Sequence, residues 1–411
     1  MPGCGVLSMA ELSLLQASVL DLIGVEEITS LAAGLVVAPG ENPPGQEQAT
    51  VDVLAQACAL RGLDHETDEV RPDRPNLRAV LPGGSGPGVL LLGHSDVVPV
   101  GDGWTTDPYG GLVRDGRLYG RGSSDMKGGL AAMIVAMGAL RRSGVPLSGP
   151  VELAVTVDEE DAALGVQHYL AAGHGHDHLG CIVGEPTELQ PIIAARGDAY
   201  LTVRVTGRAA HAGHPSDGLN AIVGAGRVID DLSRWHRELA ADAHPLAGPA
   251  TVSVGRIDGG TGASIVAAEC ELTADRRLLP GETGTDALKT LTGRLDQLGL
   301  SADGYRTEVS VGLDMPGFET AADDQLVLAV RSAARAASAP DHDPGGWTAA
   351  CDGGFLARDA GLPVVVYGPG SVSEQAHRAD ESVPLQELLS AARTYALTIL
   401  ELLGPREGGR P

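Results

Sequence analysis

Aromatic side chains are scarce, at 3% of 411 residues. Any core must therefore be filled with alanine, valine, leucine and isoleucine, and the 43% apolar content allows a large one. Cysteine is also sparse. Cys4, Cys58, Cys181, Cys270 and Cys351 are odd in number, scattered and never spaced as CxxC. This argues against a disulfide framework or a thiolate zinc site and fits a reducing compartment, the cytoplasm. Basic residues are in deficit: 29 Lys and Arg face 54 Asp and Glu, a formal net charge of −25. A polyanion repels nucleic acid and anionic membranes, so neither is expected as a partner. No apolar run reaches the roughly eighteen residues that a membrane span needs. The start, MPGCGVLSMAELSLLQASVLDLIG, lacks a basic region and carries Glu11 and Asp21. It reads as an amphipathic helix or a ragged extension rather than a signal peptide.

The chain is too long for one ordinary core, so two domains are expected. Residues 25–62 read as two helices around a break at PGENPPG (39–45). GVLLLGHSDVVPV (88–100) opens with an apolar run bounded by glycine, as a strand buried on both faces does. MKGGLAAMIVAMGALRRSG (126–144) predicts a helix stopped by Gly144, VELAVTVDEE (151–160) a second buried strand, and CIVGEP (181–186) a third. This alternation predicts an α/β sheet, mostly parallel and flanked by helices. The texture changes near residue 195. Alternating segments at 199–210, 251–260, 264–279 and 306–312, with helices at 218–235 and 286–300, follow a β-α-β-β-α-β order. That order predicts a ferredoxin-like α+β domain inserted at 195–312. Residues 1–194 and 313–411 would form the α/β domain, with a helix at 323–336, a strand at 362–368 and a helix at 384–403.

Chemistry concentrates at or just beyond the ends of the proposed strands, where open parallel sheets bind ligands. His94 ends one strand, and Asp96, two residues on, can take its second ring N–H. Asp125 lies in the glycine-dense GRGSSDMKGG, Glu159 and Glu160 follow a strand, Glu185 precedes a proline in GEPTE, and His377 lies in EQAHRADE. Each has an ordinary alternative: a surface histidine, a helix cap, a solvated acidic loop, a turn glutamate. Together, two histidines and three carboxylates make a nitrogen and oxygen donor set suited to two divalent ions. If one of the adjacent glutamates binds metal, the other is free as general base; spacing alone does not decide which. There is no Walker loop, no dinucleotide fingerprint and no thiolate set, and GDGWTTDPYGG (101–111) matches neither fingerprint.

At these residues the chain resembles the zinc-dependent deacylase and exopeptidase family of acetylornithine deacetylase, succinyl-diaminopimelate desuccinylase, aminoacylase and carboxypeptidase G. LLLGHSDVVPVGDGW, DGRLYGRGSSDMKGGLAA, TVDEED, IVGEPTE, GRAAHAGHPSDGLNAI, ADRRLLPGE and VVYGPGSVSEQAHRADE carry the resemblance in order along the chain, from about 25 to 404. It implies that His94 and Glu185 hold one zinc ion, Glu160 and His377 a second, and that Asp125 bridges them. Cobalt or manganese could use the same ligands. It implies Glu159 as general base, Asp96 as the partner of His94, and a homodimer built by the inserted domain. His211 would then reach the partner's site, with His214 the alternative. Asn220 and Arg277, with Arg276 the alternative, match positions that meet the substrate, and Gly368 to Gly370 match a loop at its end of the site. The activity implied is removal of an acyl group from a small N-acyl amino acid; a dipeptidase or aminopeptidase with the same site is the alternative. A non-catalytic scaffold would be expected to lack part of the ligand set. Gly40, the run Asp161-Ala162-Ala163 and the first two dozen residues depart from the pattern, and none is a proposed ligand.

Overall fold

The structure is a computed structural model and describes residues 9–405. The chain divides into two compact units. The first holds the described residues up to Ile193, Thr320–Gly345 and those from Phe355 on; the second holds Ala194–Glu319 and Gly346–Gly354.

In the first unit, strands Val151–Thr156, Gly88–His94, His178–Val183 and Val364–Val366 lie side by side and parallel. Every residue of Gly88–His94 and Val151–Thr156 is buried, as continuous apolar runs require. The antiparallel hairpin Asp64–Arg71 and Arg74–Leu81 extends the sheet beyond Val151–Thr156. From Gly88–His94 the chain runs through helix Gly128–Ser143 to Val151–Thr156 on one side. It then runs through helix Leu164–Ala171 to His178–Val183 on the other. Connections thus diverge at the His94 strand, which makes its C-terminal end the switch point of the sheet.

Helix Gly128–Ser143 is buried on every side from Gly128 to Leu140. It packs with Val25–Val37, Gln48–Leu60 and Leu385–Leu403, and helix Gln325–Ala336, which packs on Leu385–Leu403, shares the same core of small aliphatic residues. The expected shortage of aromatics is met by close approach. A Cβ on Gly129 would lie 2.2 Å from the carbonyl oxygen of Gly184, so only glycine lets this helix lie against the strand that leads to Glu185. Gly144, at φ 66°, ends the helix in the left-handed conformation.

In the second unit, strands run in the order Thr251–Gly259, Glu269–Leu278, Gly197–Thr206, Arg306–Met315, all antiparallel. Helices Ala221–Leu239 and Gly284–Gln297 share a core with alternate strand residues such as Leu201, Val203, Leu272 and Ala274. Sequence order and strand order together are ferredoxin-like. The unit runs past the expected end at 312 because strand Arg306–Met315 stays paired with Gly197–Thr206 as far as Met315 opposite Asp198.

Among the described residues no helix is long and apolar enough to cross a membrane. The N-terminal segment forms helix Met9–Leu20, and residues 1–8, with Cys4, lie outside the described residues. Leu91→Ala, at the fully buried centre of the sheet, is expected to cost about 2–5 kcal/mol. Leu60→Ala, 78% exposed, should change stability by less than about 0.5 kcal/mol. Chemical denaturation compares the two, and equal losses would contradict the assigned core.

Candidate metal centre

Successive strands of the parallel sheet deliver the candidate side chains from their C-terminal ends. His94 is the last residue of its strand. Glu159 and Glu160 follow the strand that ends at Thr156, and Glu185 follows the one that ends at Val183. His377 comes from the loop beyond Val364–Val366, with its backbone in the left-handed region (φ 63°). Asp125 lies outside the helix expected from 126, in a non-helical stretch (φ −120°, ψ 95°) before the helix begins at Gly128.

These residues converge. His94 Nε2 lies 3.2 Å from Asp125 Oδ1 and 3.4 Å from Glu185 Oε1. His377 Nε2 lies 3.1 Å from Glu160 Oε2 and 3.5 Å from Asp125 Oδ2. The two oxygens of Asp125 therefore face different histidines. Ligand atoms of His94, Glu159 and Glu185 also fall within 4.8 Å of one another. His94 Nδ1 sits 3.0 Å from the main-chain carbonyl of Asp96 and 3.5 Å from its carboxylate. That carboxylate instead accepts the backbone N–H groups of Glu159 and Glu160 and an amide N–H of Asn42. Asp96 thus fixes both the ring of His94 and the turn that presents the two glutamates.

Electrostatics test whether cations fit. Burial pushes the Glu185 carboxyl up to about 8, with Asp125 adding to it and His94 opposing, and burial and Asp125 likewise raise Glu160. Asp125 is lowered: His377 and His94 together outweigh its burial. Contact with Asp125 and Glu160 raises His377 to about 10, and His94 is raised by its carboxylate neighbours against its burial. Metal-free, the cluster holds protons it would otherwise release, because buried negative charge exceeds positive. Divalent cations would replace those protons, and the donors are the nitrogen and oxygen types such ions take.

The sequence profile of the peptidase family M20/M25/M40 matches residues 90–401. The chain belongs to that family. It is 33% identical over 363 residues to an acetylornithine deacetylase from Proteus mirabilis, covering 86% of this chain and 90% of the other. It is 33% identical over 399 residues to a succinyl-diaminopimelate desuccinylase from Gluconacetobacter diazotrophicus, covering 91% and 97%. The fold matches an M20 metallo-carboxypeptidase from Sulfolobus solfataricus with TM-score 0.76 at 17% identity, covering 92% and 99%. It matches a dinuclear metal binding peptidase of the M20 family from Bacillus subtilis with TM-score 0.71 at 16% identity, covering 92% and 98%. This M20-family chain is a metal-dependent hydrolase.

The remaining expected site residues have definite local roles. Gly368 and Gly370 lie close against the Glu185 and Asp125 loops: their carbonyls accept the N–H groups of Thr187, Leu189 and Glu188. A Cβ on Gly370 would lie 2.1 Å from Ser124 Oγ. In the second unit, His211 is exposed and its Nδ1 accepts the N–H of Gly213. Asn220 Oδ1 caps helix Ala221–Leu239 through the N–H of Ile222. Strand alternation separates the two arginines. Arg276 is buried over the Trp235 ring and pairs with Glu282, whereas Arg277 points to the other face and pairs with Asp275 and Asp198.

Sequence reasoning assigned no role to Asn42, Arg121, Lys127 or Glu381. Asn42 bridges the buried carboxylates of Asp96 and Asp158, and Lys127, fully buried, donates to the carbonyl of Ala38. Arg121 and Glu381 stood within quoted motifs, GRGSSD and HRADE, but nothing in a lone charged residue marks it as buried.

With His377 as a ligand, metal binding would need its imidazole neutral, so adding a divalent metal such as zinc to metal-free protein at pH 7 should release protons. Affinity should rise with pH up to about 10, where the metal-free imidazole is already neutral. Calorimetry in buffers of different ionisation enthalpy measures this. Heats that do not depend on the buffer would contradict it.

Proposed function

We propose that the protein removes the acyl group from an N-acyl amino acid, at a pair of divalent cations. His94 and Glu185 hold one, Glu160 and His377 the other, and Asp125 is shared. The observation that carries this reading is the two-way reach of Asp125, Oδ1 toward His94 at 3.2 Å and Oδ2 toward His377 at 3.5 Å. Zinc suits these donors best, and cobalt or manganese can use them. Such a pair, when bound, acidifies water and polarises a carbonyl.

The side chains do the rest. Glu159 takes the proton of the attacking water and passes it to the leaving amine. Its position near His94 and Glu185 supports that role over a structural one. Asp96 keeps His94 in one orientation and holds the Glu159–Glu160 backbone. In the second unit we assign Arg277 to the substrate carboxylate, since its fork binds such a group bidentately and Arg276 is engaged with Trp235. The amide N–H groups of Asn220, whose Oδ1 is used by the helix cap, suit a substrate oxygen. His211 of a homodimer partner would donate to the developing oxyanion, and Gly368 and Gly370 would border the substrate. A cytoplasmic setting is supported by the sparse, scattered cysteines, none of them spaced as CxxC.

Deacylation is favoured over dipeptide cleavage because relatives a third identical over most of both chains are deacylases. Purified protein tested on N-acyl amino acids and matching free dipeptides should release the amino acid from one acyl class, and a chelator should abolish release. Turnover of dipeptides alone would transfer the site to a peptidase. Glu159→Gln should lose about 10²–10⁴-fold in turnover with metal content unchanged. Full activity in that variant, with metals bound, would remove Glu159 from the mechanism.

A further inference from the structure

Asp125 lies in irregular backbone, and the loop's N–H groups there need acceptors. One side chain supplies them. Glu381 Oε1 accepts the N–H groups of Ser124 at 2.9 Å and Asp125 at 3.0 Å, and its Oε2 accepts that of Gly122 at 3.0 Å. Oε2 also receives Arg121 Nη1 at 2.7 Å. Glu381 is 1% exposed and Arg121 2%.

A buried ion pair is seldom worth more to stability than apolar residues of the same volume, so its geometry is the feature to explain. The Arg121 guanidinium also donates to the carbonyl of Arg378, the residue after His377. On its other side it donates to Val100, in the loop that follows His94. The pair therefore stands where the segments carrying His94, Asp125 and His377 meet, and Glu381 is itself four residues from His377.

We infer that Glu381, clamped by Arg121, is a positioning residue that sets the direction of the Asp125 carboxylate. This rests on Asp125 being the shared ligand. A glutamine has the same size but only one acceptor oxygen. Its NH2 group would face either the N–H pair of Ser124 and Asp125 or the donors Gly122 and Arg121, and one pair would lose its acceptor.

The test compares wild type, Glu381→Gln and Glu152→Gln by chelator-competition titration with zinc. Glu152 is a control because it is also buried in the first unit and ion-paired, with Arg78, away from the Asp125 loop. Glu381→Gln should bind zinc about 10–100-fold more weakly. Glu152→Gln should keep wild-type zinc affinity even where its thermal stability falls. Amide exchange of residues 122–125 in metal-free protein should quicken in Glu381→Gln alone. If Glu381→Gln does not fold, Arg121→Lys carries the same test. Wild-type zinc affinity with unchanged exchange at 122–125 in the variant overturns the inference. A wild type that takes up no zinc would instead sink the ligand reading of Asp125, and the exchange arm would still decide whether Glu381 holds the loop.

Discussion

The carboxylates of Asp125, Glu160 and Glu185 are gathered at the buried end of a parallel sheet, with His94 and His377 between them. Like charges in a poorly solvated place repel, and the protein answers by raising its glutamates and histidines toward their protonated forms. Such an arrangement works against folding unless something positive occupies it. The surroundings follow from that constraint. Asp96 is held by Asn42 and by two backbone N–H groups, and Glu381 is saturated by N–H donors and Arg121. Each of these two carboxylates has its charge balanced by donors and is held in one place by them.

The fold provides the convergence. Because connections diverge at the Gly88–His94 strand, neighbouring strand ends open around His94 rather than being covered by a crossover. Small residues bring the layers close enough. Gly129 lets the central helix touch the Gly184 carbonyl, and Gly368 lets its loop touch that same carbonyl and the one of Glu185. A chain with 3% aromatics gains its precision this way, by backbone approach rather than by large side chains.

Much of this was legible beforehand because it rests on local pattern. The buried strands read as apolar runs, the helix at 128–143 as an alanine-rich segment stopped by glycine, and the ferredoxin-like order as alternation broken by helices. The hairpin at 64–81 was missed since Asp64–Arg71 is exposed along almost its whole length and shows no apolar alternation. Helix Leu164–Ala171 was missed as a short segment beside an acidic run. The proposed ligand residues stood out because histidines and acids at strand ends are conspicuous and resemble a family pattern. Glu381 and Asn42 did not, because their work depends on burial and on partners at residues 96, 122–125 and 158, which no sequence window contains.

The proposed chemistry depends on Asp125 being shared between two cations. Anomalous diffraction at the zinc edge, from crystals grown with zinc, tests it directly. Two peaks about 3.5–4 Å apart are predicted, one against His94 and Glu185 and one against Glu160 and His377, with the Asp125 carboxylate between them. A single peak, or a carboxylate that touches only one of two, would contradict it.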